Sequence, residues 1–286
     1  MPSIPQMIRS VTQQKHVQQY IVEKDYALSY LLAAIVQTGN LGENLVLKGG
    51  TALKKLYFAD YRFSEDLDYS TKVMGPIKQI DEQMKTVVQF MGETLNQHGP
   101  FQVTLEPLVL KQPHPGDQKA YLVRVQFPEQ RQVLCRLKVE ITVDEPILTQ
   151  VEIRPVLHGF AEDMDVKIPV YSLSEITAEK LRALLQSKVR LRERGWGASR
   201  VCRDYFDLWN LLQIPELKSP DLIPLLNQKC VVRDVAYTSP DDFVSEDLLS
   251  VARNEWAQQL LPFVPDAPPA AELLSQVQPL ILSIWE

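Results

Sequence analysis

Two aspartates, Asp66 and Asp68, have the residue type and spacing that most strongly suggest chemistry. They stand at the start of a strand-like segment, residues 67–71, and because they are two positions apart their side chains point the same way. Neighbouring carboxylates repel each other unless a cation lies beside them, and a hard dication such as Mg²⁺ prefers oxygen ligands. Such an ion would hold the phosphates of an NTP and stabilise the transferring phosphoryl group. The alternative is two solvated acids in a turn.

A Gly-Gly pair precedes these acids. Gly49 and Gly50 follow a short apolar run, residues 45–47, and precede a helical segment, residues 51–58, whose start Thr51 could cap. Backbone N–H groups at a glycine-containing helix start suit a triphosphate, and neighbouring hydroxyls and cations would help to hold it. A lone Gly-Gly is weak evidence, because turns also need glycine, but the order strand, Gly-Gly, helix, S-x-D-x-D is more specific. The candidate nucleotide-binding residues here are Lys48, Gly49, Gly50, Thr51, Arg62 and Ser64.

A third carboxylate is wanted for a two-metal site. Residues 132–143 alternate apolar and polar side chains as a strand does, and Glu140 lies on the polar face, which Asp144 shares at the strand's exit. Glu140 is the preferred third ligand because it lies inside the strand, where a sheet could bring it beside Asp68. The alternative is a salt-bridged outer face, since Lys138 is its neighbour on that face.

The periodicity predicts a mixed α/β half followed by a helical half. Residues 1–170 form the first predicted domain and residues 171–286 the second. Helical patterns cover residues 17–37, 76–98, 174–188, 199–212 and 271–285, and strand-like patterns cover 101–110, 120–127, 132–143 and 166–169.

The bulk composition describes an ordinary globular protein with 45% hydrophobic residues. A net charge of -6 excludes a globally basic nucleic-acid binder but allows a local basic patch. Three widely spaced cysteines and four scattered histidines suggest neither a disulfide framework nor a zinc cluster. No signal-peptide pattern and no run of about 20 apolar residues is present, so we expect a soluble cytoplasmic protein without membrane contact.

Several motifs resemble the AbiEii-type nucleotidyltransferase toxins, which include the MenT toxins. The family's K-G-G-T-x-L and F-S-x-D-L-D segments stand here at residues 48–53 and 63–68. Its E-K-D-Y helix is matched at residues 23–26. Its E-K-hydrophobic-x-A-L and R/K-D-x-x-D-L segments are matched at residues 179–184 and 203–208. The matches follow the family's order and extend over most of the chain.

The resemblance implies a polymerase-β-like nucleotidyltransferase core with a mixed sheet, followed by a helical C-terminal part. It implies Asp66 and Asp68 as catalytic metal carboxylates, Lys180 as a nucleotide-contacting lysine and Asp204 as a further essential acid. It also implies Mg²⁺ or Mn²⁺ as cofactor, an NTP as substrate, the 3′ end of tRNA as acceptor and a cognate antitoxin protein as partner. The acceptor is the least transferable of these implications, because family membership does not fix a substrate.

Positive charge is concentrated in one stretch of the helical half. Arg182 and Arg203 lie near Lys180 and are further candidates for binding the triphosphate. Residues 186–200 are interpreted as a basic loop with Trp196 at its centre, which could either stack on a base or anchor the loop in a core. The basic residues of the stretch are Lys180, Arg182, Lys188, Arg190, Arg192, Arg194, Arg200 and Arg203. A solvated face beside a helix C-terminus is the alternative, since cations are favoured there.

The residues therefore predict a metal-dependent nucleotidyltransferase, with two alternatives left open. The first is a degenerate transferase that binds NTP or RNA without catalysis, against which the intact Asp66/Asp68 pair argues. The second is a transferase that modifies a protein or a small molecule. Asp204 and Asp207 share a helix face, and the sequence does not separate their roles.

Overall fold

The computed structural model describes residues 3–75, 77–109, 118–219 and 221–286. The chain divides into two compact units, Met1–Tyr171 and Ser172–Glu286. Within the described ranges, no helix is both long and apolar enough to cross a membrane. The two units are described in turn.

The first unit combines helices with a seven-stranded sheet. Its helices are α1 (Ile4–Lys15), α2 (Gln19–Gln37), α3 (Gly39–Asn44), α4 (Gly49–Ala52) and α5 (Ile80–Leu95), and a π-helical turn (Leu53–Tyr57) continues α4. Its strands are β1 (Leu45–Lys48), β2 (Asp66–Thr71), β3 (Gln102–Leu108), β4 (Gln118–Gln126), β5 (Cys135–Thr142), β6 (Glu152–Pro155) and β7 (Lys167–Val170).

The strands follow the spatial order β3-β4-β5-β2-β1-β7-β6. The central pairs β2·β5 and β1·β7 are parallel, and the other neighbours are antiparallel. The sheet is therefore mixed, as predicted, and the α/β class with a helical C-terminal part is confirmed. The architecture is consistent with the nucleotidyltransferase-like fold that the motifs imply.

The core of this unit lies between one face of the sheet and helix α2. Alternate residues of the central strands, such as Leu67 and Val139, are completely buried on that face. Helix α2 lies within the helical pattern of residues 17–37, and nearly every residue from Ile21 to Ile35 is buried. It is an interior helix with an apolar surface on most sides, and the few charged side chains that it carries must find partners inside the protein.

Several elements of the first unit differ from those predicted. The helix expected over residues 76–98 spans only Ile80–Leu95, and Pro76 lies outside the described residues. The strand expected over residues 101–110 is β3, which ends at Leu108, and Leu110 also lies outside them. Strand β6 was not predicted, because a four-residue segment that ends in proline carries little strand signal.

His158 belongs to a buried polar cluster of the first unit. Its Nε2 lies 3.6 Å from a carboxylate oxygen of Glu162, and the Tyr26 hydroxyl donates a hydrogen bond of 2.8 Å to the other oxygen. Burial lowers the pKa of His158 to about 4, and the nearby charge of Lys55 acts in the same direction. The imidazole is therefore neutral in the folded protein around neutral pH.

This histidine should make the protein sensitive to acid. Between pH 6.5, its ordinary pKa, and pH 4, the unfolded chain binds more protons than the folded one, so the free energy of unfolding falls as pH falls. We expect the wild type to lose up to about 3 kcal/mol more than a His158→Gln variant across this window. Urea denaturation at half-unit pH steps would measure the difference. Parallel stability curves for the two proteins would contradict the prediction.

The second unit is helical. It contains α6 (Leu173–Arg194), α7 (Val201–Leu211), α8 (Leu222–Val232), α9 (Glu246–Gln259) and α10 (Ala270–Leu282), with short 3₁₀ turns at Pro215–Leu217, Pro240–Val244 and Ser283–Trp285. Helix α6 is capped by Ser172, whose hydroxyl accepts a hydrogen bond from the Glu175 N–H, so it begins one residue before the predicted start at Ser174.

Helix α6 is also longer than predicted. The sequence interpretation ended it at residue 188 and placed a loop over residues 186–200, but the helix continues to Arg194. Nothing between residues 186 and 194 breaks a helix, whereas Gly195 adopts a φ of 73°, the left-handed conformation that commonly ends one. The predicted loop is therefore reduced to the few residues between α6 and α7.

Candidate active site

Strand β2 presents two carboxylates on one face. Asp66 and Asp68 alternate with Leu67 and Tyr69, which are buried in the core on the opposite face. Asp66 and Asp68 themselves are half-buried, so the strand turns them away from the core without fully exposing them. The strand predicted from the sequence and the common direction of the two side chains are both observed.

The neighbouring strands place further charges on the same face. In the antiparallel β1·β2 pair, Lys48 lies directly opposite Asp68, and in the parallel β2·β5 pair Asp68 lies opposite Glu140. Asp66 lies opposite Lys138. Residues in register share a face of the sheet, so Lys48, Asp68 and Glu140 form a row of one cation and two neighbouring acids across three strands.

The Gly-Gly turn lies against this row. Gly49 has a φ of 75°, in the left-handed region, and a Cβ added to it would lie only 2.8 Å from Asp68 Oδ2. A Cβ added to Gly50 would lie 2.6 Å from Arg62 Nη2 and 3.3 Å from Ser64 Oγ. Gly49 is therefore required by its backbone conformation and by Asp68, whereas Gly50 leaves room for the Arg62 guanidinium and the Ser64 hydroxyl.

Thr51 plays a different part from the one predicted. Helix α4 begins at Gly49, so Thr51 lies inside it and does not cap it. Its hydroxyl instead donates a hydrogen bond of 2.5 Å to the main-chain carbonyl of Asp66. This contact ties the helix after the Gly-Gly turn to the first residue of β2. The six candidate nucleotide-binding residues of this unit are thus gathered around one turn: Lys48, Gly49, Gly50, Thr51, Arg62 and Ser64.

Gly49→Ala should be destabilising for two separable reasons. Alanine in the left-handed conformation costs about 1–2 kcal/mol, and the new methyl group would also push against the Asp68 carboxylate. The matched control is Gly159→Ala, because Gly159 has a φ of 67° but no atom within 4 Å of an added Cβ. Urea denaturation should show a larger loss for Gly49→Ala. Equal losses would mean that Asp68 yields freely and that the turn does not hold it.

The third predicted metal ligand, Glu140, forms an ion pair with a lysine. Glu140 Oε2 lies 2.9 Å from Lys138 Nζ, the salt-bridge alternative that the sequence left open. Among the described residues there is no group of three or more His, Cys, Asp or Glu side chains close enough to hold a metal ion. A metal site with Asp66, Asp68 and Glu140 therefore stays a prediction.

Lys48 has a buried acidic partner that the sequence did not predict. The Lys48 Nζ lies 3.4 Å from Glu145 Oε2 and 5.7 Å from the centre of the Tyr171 ring. Glu145 is only 1% exposed and follows β5, where Asp144 and Glu140 had been considered instead. No pattern in the sequence distinguishes Glu145 from its neighbours, because its contact depends on how the loop after β5 returns to β1.

Two residues of the E-K-D-Y motif form ion pairs with segments next to the candidate site. Lys24 on α2 forms an ion pair of 2.7 Å with Glu65, the residue immediately before β2. Its neighbour Asp25 forms a buried ion pair of 2.6 Å with Lys55, in the π-helical turn that follows the Gly-Gly segment. Lys24 and Asp25 therefore hold segments that carry or adjoin candidate site residues.

In the second unit, one lysine is held by two acids. Lys180 Nζ lies 2.8 Å from Asp204 Oδ1 and 2.8 Å from Asp207 Oδ2. Asp207 is completely buried, whereas the side chains of Lys180 and Asp204 keep 14% exposure. The two acids on one face of α7, which the sequence could not tell apart, both hold this lysine.

Arg182 and Arg203 are buried and form contacts within the second unit. Arg182 donates a hydrogen bond of 3.3 Å to the carbonyl of Lys229 and lies 3.5 Å from Glu179. The Arg203 Nε donates a hydrogen bond of 2.6 Å to the carbonyl of Gln259, and its guanidinium stacks 4.0 Å from the Phe263 ring. Both side chains are buried. Their predicted contact with the triphosphate stays a prediction.

The mixed sheet, the carboxylate pair and the Gly-Gly turn are features of the nucleotidyltransferase class. A family model described as "Nucleotidyl transferase AbiEii toxin, Type IV TA system" matches residues 30–277, and the chain belongs to this family. The resemblance found in the motifs is thereby confirmed. The family consists of nucleotidyltransferase toxins of type IV toxin–antitoxin systems, which implies a cognate antitoxin. No curated protein matched the sequence.

Proposed function

We propose that this protein is a metal-dependent toxin that moves a nucleotide from an NTP to the 3′ end of an RNA, with tRNA as the expected acceptor. Membership of a nucleotidyltransferase toxin family supports the class of reaction. The observation that carries the proposal is the pair Asp66 and Asp68 on one sheet face, with Asp68 packed against the Gly49 turn. Such a pair supplies negative oxygens where nucleotidyl transfer needs them.

The donor set fits a hard divalent cation. Carboxylate oxygens from Asp66 and Asp68 are the ligands that Mg²⁺ and Mn²⁺ prefer, and Glu140 on the neighbouring strand is the proposed third. When bound, the cation would neutralise NTP phosphates and stabilise the charge of the transition state. Glu140 would have to exchange its contact with Lys138 for such a role.

The chain's own residues would bind and orient the reactants. Arg62, beside Gly50, supplies positive charge for the triphosphate, and the Ser64 hydroxyl is a neighbouring hydrogen-bonding group. Lys48 contributes a second positive charge on the carboxylate face. In the proposed reaction a hydroxyl of the acceptor attacks the α-phosphate in line, the bond to the β-phosphate breaks, and pyrophosphate leaves. Catalysis then consists mainly of positioning and charge neutralisation.

Lys180 and Asp204 complete the proposed residue set. Lys180 is proposed to contact the nucleotide, and Asp204, with Asp207, would keep its ammonium group oriented. Arg182 and Arg203 would support this part of the site. These assignments rest on the family's motifs rather than on a contact with ligand.

Incubation with labelled nucleotides tests the proposal most directly. Purified protein would be mixed with each α-labelled NTP, Mg²⁺ and total RNA, with an EDTA control, and the products resolved on a denaturing gel. Label in an RNA of tRNA size, absent with EDTA, is the expected result. Label in a protein or a small molecule would identify that molecule, rather than RNA, as the acceptor. This result would support the second alternative. No label from any NTP would overturn the proposal in favour of a non-catalytic NTP- or RNA-binding protein.

A further inference from the structure

One tryptophan of the second unit is left in solvent. Trp196 is 69% exposed, so it does not anchor the segment between α6 and α7 in a core. It stands between Gly195 and Gly197, whose φ angles of 73° and 97° both lie in the left-handed region. These two turns project the indole outward at the end of α6. Tryptophan is highly buried on average, so one that is held outward is a candidate binding residue.

Exposed arginines flank this tryptophan in the chain. Arg192, Arg194 and Arg200 are exposed, and the one acid between residues 188 and 203 is Glu193. A Cβ added to Gly197 would lie 3.5 Å from Arg190 Cδ, so the turn folds back over this half-buried arginine. The tryptophan–arginine surface, defined here as Arg194, Trp196 and Arg200, is therefore basic although the whole protein carries a net charge of -6.

The helix dipole explains only part of this surface. Cations in the last turn of a helix are favoured, which accounts for Arg192 and Arg194 in α6. Arg200 lies beyond the end of that helix, and an exposed indole gains nothing from a dipole. An exposed aromatic ring can stack on a flat ring, and the flanking arginines can pair with negative charge. The surface therefore suits a ligand that has both.

A groove in the same unit is a poorer candidate for such a ligand. It has a volume of about 940 Å³ and is lined on one side by Arg192 and Gly195. Asp234, Asp242 and Asp247 also line it. These carboxylates would repel phosphates, so the outward tryptophan–arginine surface is the better site for a polyanion.

We propose that the tryptophan–arginine surface docks single-stranded RNA, with one base stacked on Trp196 and the backbone phosphates held by the arginines. Bases have flat faces that stack on aromatic side chains, and phosphates pair with guanidinium groups. The proposal rests on the proposed function, because an RNA acceptor needs a surface that holds it independently of the sequence of its bases. It assigns to Trp196 a binding role, not a catalytic one.

Fluorescence anisotropy with a labelled single-stranded RNA of about 12 nucleotides tests this surface without requiring catalysis. In the absence of NTP and metal, Trp196→Ala should weaken binding by about 5- to 150-fold, which corresponds to the loss of one stacked base. Trp196→Phe should retain most of the affinity. Arg194→Ala should weaken binding and make it less dependent on salt.

Matched controls exist in the same unit. Val231 is 79% exposed on α8, so Val231→Ala removes an exposed apolar side chain elsewhere, and Arg253→Ala removes a charge that is paired with Glu246 on α9. Both should bind RNA like the wild type. Melting curves check that all variants are folded. Because Trp196 is exposed, its replacement should not disturb the core.

Two results would overturn the inference: equal binding by the wild type and Trp196→Ala, or no RNA binding by the wild type. Binding of an acidic protein at this surface, without RNA binding, would replace RNA as the partner. The Asp66→Asn variant separates this inference from the proposed function, because it should keep RNA binding. If the wild type binds RNA through Trp196 but transfers no nucleotide, the docking surface is supported and the proposed enzymatic function is refuted.

Discussion

Asp66→Asn and Asp68→Asn are each expected to reduce nucleotide transfer by at least about 100-fold, since removal of one group that stabilises transition-state charge costs that much or more. Asparagine has nearly the shape of aspartate but not its charge, so the packing of Asp68 against Gly49 should survive. Transfer of labelled nucleotide to RNA measures the effect. Urea denaturation should show a free energy of unfolding close to that of the wild type.

The chain supplies a control with the same spacing. Asp163 and Asp165 are also two positions apart in the first unit, but both are exposed outside the sheet. Asp163→Asn and Asp165→Asn should leave transfer unchanged. Undiminished transfer by either Asp66→Asn or Asp68→Asn would refute the assignment. An equal loss in the control variants would show that net charge, rather than position, is responsible.

Lys55→Met is expected to reduce the free energy of unfolding by about 3–5 kcal/mol, because it leaves the buried carboxylate of Asp25 without its partner. Lys55 is 1% exposed and Asp25 5%, and their charged atoms are 2.6 Å apart. Burial lowers the pKa of Lys55, while the charge of Asp25 opposes that effect. Chemical denaturation at neutral pH measures the loss.

An exposed ion pair of nearly the same length provides the comparison. Lys15 Nζ lies 2.7 Å from Asp60, but the Asp60 side chain is 90% exposed and that of Lys15 38%, so Lys15→Met should cost less than about 1 kcal/mol. The double variant Asp25→Leu/Lys55→Met should recover most of the stability lost in Lys55→Met, because the other oxygen of Asp25 has no hydrogen-bond partner among the described residues. A double variant as unstable as Lys55→Met would show that packing, not charge, dominates.

The parts of the fold that the sequence predicted are those with strong local patterns. Alternation over residues 132–143 located β5 and placed Glu140 on its polar face, and the spacing of Asp66 and Asp68 fixed their common direction. Register was not predictable in the same way. That Asp68 lies between Lys48 and Glu140 depends on pairing between distant segments, which no local pattern encodes.

The parts that failed depend on contacts made only in the folded chain. Thr51 reads as a helix cap in sequence, yet its hydroxyl bonds Asp66 because α4 packs against β2. Trp196 was more readily interpreted as an anchor, since tryptophan is usually buried, but two left-handed glycines turn it outward. Glu145 carried no signal because its partner, Lys48, lies on a strand far away in sequence.

The parallel pairing of β2 with β5 also bears on when the toxin can become active during its synthesis. Helix α5 and strands β3 and β4 lie between these two strands in the chain. Closing so long a loop costs conformational entropy before the pairing contacts can stabilise it, so such strands pair slowly. A nascent chain released from the ribosome only as far as β4 lacks Glu140 and the strand beside Asp68. The carboxylate face therefore cannot be completed before most of the first unit has been translated.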